Sequence, residues 1–157
     1  MAAAEASAKK ALELDPKSTA AHTFLGTLYW QQQRWPEAEH ELRAAVDLDP
    51  NSLPSWVRLT NFYLAQEKRD VAEQVVQEAK RALANNPKGY TVAAEFFLNQ
   101  GQTDKALAEF AALLKEHPKD LTLKKRYIEV CSRPSTTRRR ASSPTRFSRT
   151  IPRTWKD

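Results

Sequence analysis

Glycine and cysteine are scarce in this chain. Three glycines in 157 residues, Gly26, Gly89 and Gly101, are too few for a turn-dense β-sandwich or for a glycine-rich loop that cradles phosphate. A lone cysteine, Cys131, excludes an intrachain disulfide framework and the paired thiolates of a zinc site. No apolar run approaches the roughly 18 residues of a membrane-spanning helix, and Met1 to Lys10 lack the apolar centre of a secretory signal. What is abundant points to helix. There are 23 alanines, with many Leu, Glu, Lys and Gln, side chains that lose little freedom in that conformation.

Acidic residues are missing from one place. Through Cys131 there are 17 Lys and Arg against 18 Asp and Glu, whereas Ser132 to Asp157 hold 8 against 1. The net charge of +6 therefore belongs to the C-terminal stretch and not to the body of the chain.

The body repeats itself. Pro16 and Pro50 are 34 residues apart, and Pro50 and Pro118 are 68 apart. The middle member of that series falls on Ala84, with the nearest proline displaced to Pro87. Five further columns keep the same period: Leu25, Leu59 and Ala93; Tyr29, Tyr63 and Phe97; His22, Trp56 and Tyr90; Ala38, Ala72 and Ala106; Leu42, Val76 and Phe110. Spacings of three and four between apolar residues predict two amphipathic helices per unit, with a break near Gln31 to Arg34. Pro36 suits a first helical turn, where a missing N–H costs nothing. Asp70 with Glu73 is the pattern of a capping box, and Thr103 the pattern of a cap. Gly101 suits the left-handed position after a helix.

These columns resemble the tetratricopeptide repeat family: an aromatic, Leu-Gly, Tyr, Ala, an apolar residue, Ala and a closing Pro. The first unit carries Leu25-Gly26, Tyr29, Ala38, Leu42, Ala45 and Pro50. The second departs at Thr60 and Ala84, and the third at Leu113. The resemblance implies an all-α, right-handed superhelical solenoid of antiparallel helix pairs. It divides the chain into a half repeat over 1–18, repeats over 19–52, 53–86 and 87–120, and a half repeat over 121–131. Because both ends fall inside a repeat, the chain reads as a fragment of a longer array. Its alanine-rich, closely related units resemble bacterial arrays, and either cytoplasm or periplasm fits.

Residues 132–157 form a basic Ser/Thr/Arg/Pro-rich tail with two readings. One is a flexible segment whose Arg133, Arg138, Arg139, Arg140, Arg146, Arg149 and Arg153 bind the phosphates of nucleic acid or of acidic lipid. Arg139-Arg140-Ala141-Ser142 also resembles a basophilic kinase site. The other is a frameshift product: codons allowed for Pro144 to Trp155 can spell, in a shifted frame, a segment resembling Ala111 to Thr122. Nucleic acid is a partner only on the first reading.

Signals for an enzyme are weak. His40-Glu41-Leu42-Arg43-Ala44 begins like a zinc-protease helix, but Ala44 replaces the second histidine. His22 stands in an aromatic column and reads as a structural side chain. No cofactor or metal is expected. The family resemblance implies instead a concave groove, lined by the first helix of each unit, that receives a peptide or helix of another protein. Projected onto this chain it gives Thr23, Thr27 and Trp30 from the first unit, Arg58 and Asn61 from the second, and Lys88 and Glu95 from the third. Trp30 is either the anchor for a partner or a cover for the neighbouring helix. Family members that clamp a terminal carboxylate use lysines and asparagines, and here only Lys88 matches, which argues against that ligand. The alternatives are a spacer within a longer array and end-to-end self-association.

Overall fold

The computed structural model describes residues 2–86 and 89–132. Pro87, Lys88 and the whole basic stretch from Arg133 onward lie outside them, and with them the displaced proline, the kinase-like motif and both readings of the tail. Among the described residues there are eight helices and no strands: α1 (Ala2–Leu14), α2 (Thr19–Gln31), α3 (Trp35–Leu48), α4 (Leu53–Ala65), α5 (Arg69–Ala82), α6 (Val92–Asn99), α7 (Thr103–Glu116) and α8 (Leu121–Ser132). Each packs on its neighbours in sequence, and one further contact joins α2 to α4. That pattern of purely local packing is an all-α solenoid.

The period fixes the core. Leu25, Leu59 and Ala93 are buried, as are Tyr29, Tyr63 and Phe97, and Ala38, Ala72 and Ala106 are fully enclosed. A sixth column, Leu28, Phe62 and Phe96, is buried as well. Phe62 is its centre, with Trp30 at 5.8 Å edge-on, Tyr63 at 5.3 Å and Trp35 at 6.3 Å.

Each helix pair is joined by the same turn. Gln33 (φ 60°), Glu67 (φ 60°) and Gly101 (φ 72°) occupy left-handed backbone at intervals of one repeat. These residues donate their N–H to the carbonyls of Trp30, Leu64 and Leu98 at 3.0 Å, and the residues after them, Arg34, Lys68 and Gln102, to those of Tyr29, Tyr63 and Phe97 at 2.9, 3.0 and 2.8 Å. These are the paired bonds that close a helix end around a left-handed residue. Gly101 is the one such site with the residue that adopts this conformation without strain.

Because this turn sets where the next helix starts, two expected caps are overturned. α5 begins at Arg69 and α7 at Thr103, so Lys68 and Gln102 stand in the cap positions and neither makes a side-chain cap. Asp70 sits inside the first turn of α5, and Glu73 pairs across to Lys105 Nζ at 3.1 Å. Side-chain caps do form at Ser18 and Ser52, one repeat apart, each accepting from the N–H three residues on at 3.4 Å, and at Asp120, which accepts from Leu123 at 3.0 Å. Pro36 does lie in the first turn of α3.

The third unit is irregular. α6 starts at Val92, whereas the registers of Thr19 and Leu53 are helical. Position 84 lacks the proline that closes the other units, and Leu83, fully buried, turns against Gly89. A Cβ on Gly89 would stand 2.8 Å from the Cβ of Leu83, so no other residue lets the two segments approach this closely.

Candidate partner-binding face

Among the first helices, α2 touches α4, and α4 and α6 border a common cavity, so grooves run between them. Between α4 and α6 lies a cavity of about 220 Å³ lined by Leu53, Val57, Asn61, Thr91, Val92, Glu95, Phe96 and Asn99, with Thr60 and Val76 among its walls. Val57 is 43% exposed although apolar. Asn61 and Asn99 are exposed on α4 and α6, and neither side chain has a hydrogen-bond partner among the described residues. Each amide offers both donors and an acceptor. The slot thus combines apolar walls with free amides, the usual composition of a recognition site.

Between α2 and α4 runs a wider trough lined by Thr23, Phe24, Thr27, Asp49, Pro54 and Arg58, among others. Thr23 and Thr27 donate their hydroxyls to the carbonyls of Thr19 and Thr23, both at 2.8 Å, which leaves oxygen lone pairs for a ligand. Arg58 is exposed and makes no ion pair among the described residues. Phe24, half exposed at 50%, was not legible as a groove residue: its 34-residue register continues as Arg58 and Val92, so no apolar column marks it.

The structure brings together some of the expected residues and separates others. Thr23, Thr27 and Arg58 share the first trough, and Asn61 and Glu95 share the second. Glu95 is also held by Arg126 of α8 in a two-pronged contact at 2.8 and 2.7 Å. That contact, with Glu129 adding to it, holds the Arg126 guanidinium above its ordinary pKa. Trp30 lines neither groove; it is half-buried, edge-on to Phe62. Lys88 lies outside the described residues.

The polar tips of the aromatic columns are spent on the scaffold. His22 contacts Glu41 Oε2 at 2.6 Å and the Pro16 carbonyl at 3.2 Å. Trp56, one repeat on, donates to the Pro50 carbonyl at 2.9 Å. Tyr63 has its phenol pushed up by burial and by Glu39. No group of three or more His, Cys, Asp or Glu able to hold a metal ion occurs among the described residues, and none of the described helices is long and apolar enough to cross a membrane.

Known proteins agree with this geometry. A family model described as tetratricopeptide repeat matches residues 1–59. The crystal structure of TTC0263, a thermophilic TPR protein of Thermus thermophilus, matches at 27% identity and TM-score 0.54, covering 81% of this chain and 71% of its own. Yeast Tom70 matches at 26% identity and TM-score 0.56 over 74% of this chain, which spans 24% of the Tom70 chain. No curated protein sequence matches the chain.

Proposed function

We propose that this chain, a member of the tetratricopeptide repeat family, is a non-catalytic protein-interaction scaffold that takes a peptide or helix of a partner along the face of α2, α4 and α6. The observation that carries this reading is the slot between α4 and α6, where exposed Val57 and the amides of Asn61 and Asn99 border an apolar cavity of about 220 Å³. An extended chain would put one apolar side chain into the slot and lay its backbone against the amides. Arg58, exposed in the trough between α2 and α4, would favour acidic residues there. Trp30, packed on Phe62, would contribute through the shape it gives α2 and not as an exposed anchor.

The test is selection of peptides from a displayed library on the wild-type protein, followed by binding measurements on variants. Val57→Asp and Asn61→Ala should each weaken the selected peptides about tenfold or more, as expected for a buried apolar anchor and a lost hydrogen bond. Gln74→Asp, exposed on α5, should leave them unchanged. Peptides that bind wild type, Val57→Asp and Asn61→Ala equally would refute the groove.

A spacer role is favoured by one observation, the apolar surface left open on α8. Nucleic-acid binding through the arginines from Arg133 onward would require the tail to be translated in its native frame, which the nucleotide sequence tests directly.

A further inference from the structure

The helices α2, α4 and α6 carry very little charge. Of the Lys, Arg, Asp and Glu types they hold only Arg58 and Glu95. Arg58 lines the trough between α2 and α4. Glu95 is the one ionisable side chain lining the slot between α4 and α6, beside apolar Val57 and Phe96 and the amides of Asn61 and Asn99. The electrical state of Glu95 therefore decides which side chains the slot can hold.

Glu95 is met from two sides. It borders the slot, and Arg126 reaches it from α8, Nε to Oε1 at 2.8 Å and Nη2 to Oε2 at 2.7 Å. One planar guanidinium thus engages both carboxylate oxygens, a geometry that fixes the direction of the carboxylate as well as offsetting its charge. Arg126 is steadied in turn by Glu129, which accepts from Nη1 at 2.9 Å. The two side chains of the pair are only 33% and 35% exposed, unlike a loose surface ion pair.

Register shows that this pairing is particular to one junction. Arg126 stands 31 residues beyond Glu95. At the same interval Asn61 is followed by Val92 and Thr27 by Arg58. Those pairs also meet across a groove, Asn61 with Val92 in the slot and Thr27 with Arg58 in the trough. Of the three pairs, only Glu95 with Arg126 joins opposite charges.

The consequence for the slot follows from desolvation. Without Arg126, Glu95 would be an unpaired carboxylate at the rim of an apolar cavity. An apolar side chain entering the slot would strip water from that charge at a cost, whereas a lysine or arginine would neutralise it. With Arg126 in place the charge is already offset. An incoming cation would have to displace a two-pronged contact and face the guanidinium itself.

We propose that Arg126 sets the charge specificity of the slot: by holding Glu95 it keeps the rim neutral, so the slot admits an uncharged apolar side chain of the partner and turns away lysine and arginine. This deepens the groove reading and rests on it.

Two peptides differing at one side chain test it. The parent is a peptide selected on wild type. Its slot residue is the position whose alanine substitution weakens binding to wild type but not to Val57→Asp. That position is made norleucine or lysine, which share a stem and differ by the ammonium. Wild type should favour the norleucine peptide about tenfold or more, since the ammonium must be desolvated without a partner. Arg126→Gln should cut that preference about fivefold or more, strengthening lysine and weakening norleucine. Arg126→Lys keeps the charge and should keep most of the preference, and Glu95→Gln combined with Arg126→Gln should restore it. An Arg126 that only braces α8 would weaken both peptides alike and gain nothing from Glu95→Gln. Arg126→Met, which keeps much of the aliphatic stem, serves if circular dichroism shows Arg126→Gln unfolded. A preference unchanged in Arg126→Gln, or not restored in the double variant, would overturn the proposal and leave the groove standing. Selected peptides indifferent to Val57→Asp would overturn the groove reading and this proposal with it.

Discussion

Tyr63 of α4 donates its phenolic hydrogen to Glu39 of α3 at 2.7 Å. One repeat earlier, Tyr29 of α2 donates to Glu5 of α1 at 3.3 Å. The bond therefore belongs to the period: each first helix is tied by its tyrosine to the second helix of the unit before. In the third unit Phe97 has no hydroxyl, and Lys105 bridges instead, pairing with Glu73 at 3.1 Å while lying 4.9 Å above the Phe97 ring.

Tyr63→Phe would leave Glu39 without this donor and remove the acceptor of Arg43, whose Nη2 donates to the Tyr63 oxygen at 3.2 Å. Losing hydrogen bonds between partly buried groups of this kind costs about 1 to 2 kcal/mol. Urea unfolding followed by circular dichroism should show that loss for Tyr63→Phe and a smaller one for Tyr29→Phe, whose bond is longer. Equal stability of Tyr63→Phe and wild type would mean the ladder contributes nothing.

Gly26→Ala tests the closest approach between two helices. Alanine is favoured over glycine in a helix by about 1 kcal/mol, but overpacking a tight core costs about 1 to 3 kcal/mol. The new methyl would meet Leu42 Cγ at 2.7 Å and the Leu42 backbone nitrogen at 3.2 Å, so the side chain can yield only partly. A net loss of about 1 kcal/mol is expected. Leu42→Val in the same chain should restore it, because Thr60 with Val76 already shows that a larger first residue goes with a smaller second one. Additive effects in the double variant would argue that the two residues do not share the space.

Much of this architecture was legible in the sequence because a 34-residue period is a physical constraint. A residue that fills the space between stacked pairs must recur wherever the stack recurs, and Tyr29, Tyr63 and Phe97 do. Helix starts were less legible. Asp70 and Thr103 have the chemistry of caps, but the left-handed residues at 67 and 101 set the boundary and leave Lys68 and Gln102 there. Gln33 and Glu67 carry no mark of that conformation in their residue type, and only Gly101 betrays it. Groove residues were least legible, because a surface that packs against no other repeat is free of the period. Phe24 has no apolar echo at 58, and Trp30, the most conspicuous residue by type, is half-buried on Phe62.

Left-handed backbone at non-glycine residues offers a direct gain in stability. Gln33 and Glu67 are both at φ 60°, where a Cβ costs roughly 1 to 2 kcal/mol, partly offset by the greater freedom of glycine in the unfolded chain. Gln33→Gly and Glu67→Gly should each stabilise the protein by about 0.5 to 1 kcal/mol. Gly101→Ala should lose a similar amount, and purely through the backbone, since nothing lies within 4 Å of where its Cβ would be. Thermal melts of the three variants should move in those opposite directions. A Gly101→Ala variant as stable as wild type would show that the turn is not under strain.

The last prediction concerns pH. Tyr90 donates its phenolic hydrogen to Asp120, and Asp120 also caps α8 by accepting from the N–H groups of Thr122 and Leu123 at 2.8 and 3.0 Å. The hydrogen bond to Asp120, with burial, pushes the Tyr90 phenol up to about 12. In return the bond from Tyr90, with the two backbone donors, holds the Asp120 carboxyl below its ordinary value. An unfolded tyrosine loses its proton near pH 10, so between about pH 10 and 12 the unfolded state gives up a proton that the folded state retains. The contribution of this contact is therefore complete below pH 10 and is lost as pH rises toward 12. Asp120 acts in the other direction: its contribution is present above the ordinary aspartate pKa and is lost as pH falls through the depressed value. Tyr90→Phe should remove this contact's share of the alkaline loss. Phenolate absorbance should lose one group titrating near pH 12, and subtracting the variant from wild type isolates it from Tyr63 and Tyr127, which are also pushed up. Midpoints of urea unfolding above pH 10 should then fall less steeply in the variant than in wild type. Parallel curves would mean that the contact between Tyr90 and Asp120 does not carry the alkaline sensitivity of the α7–α8 end.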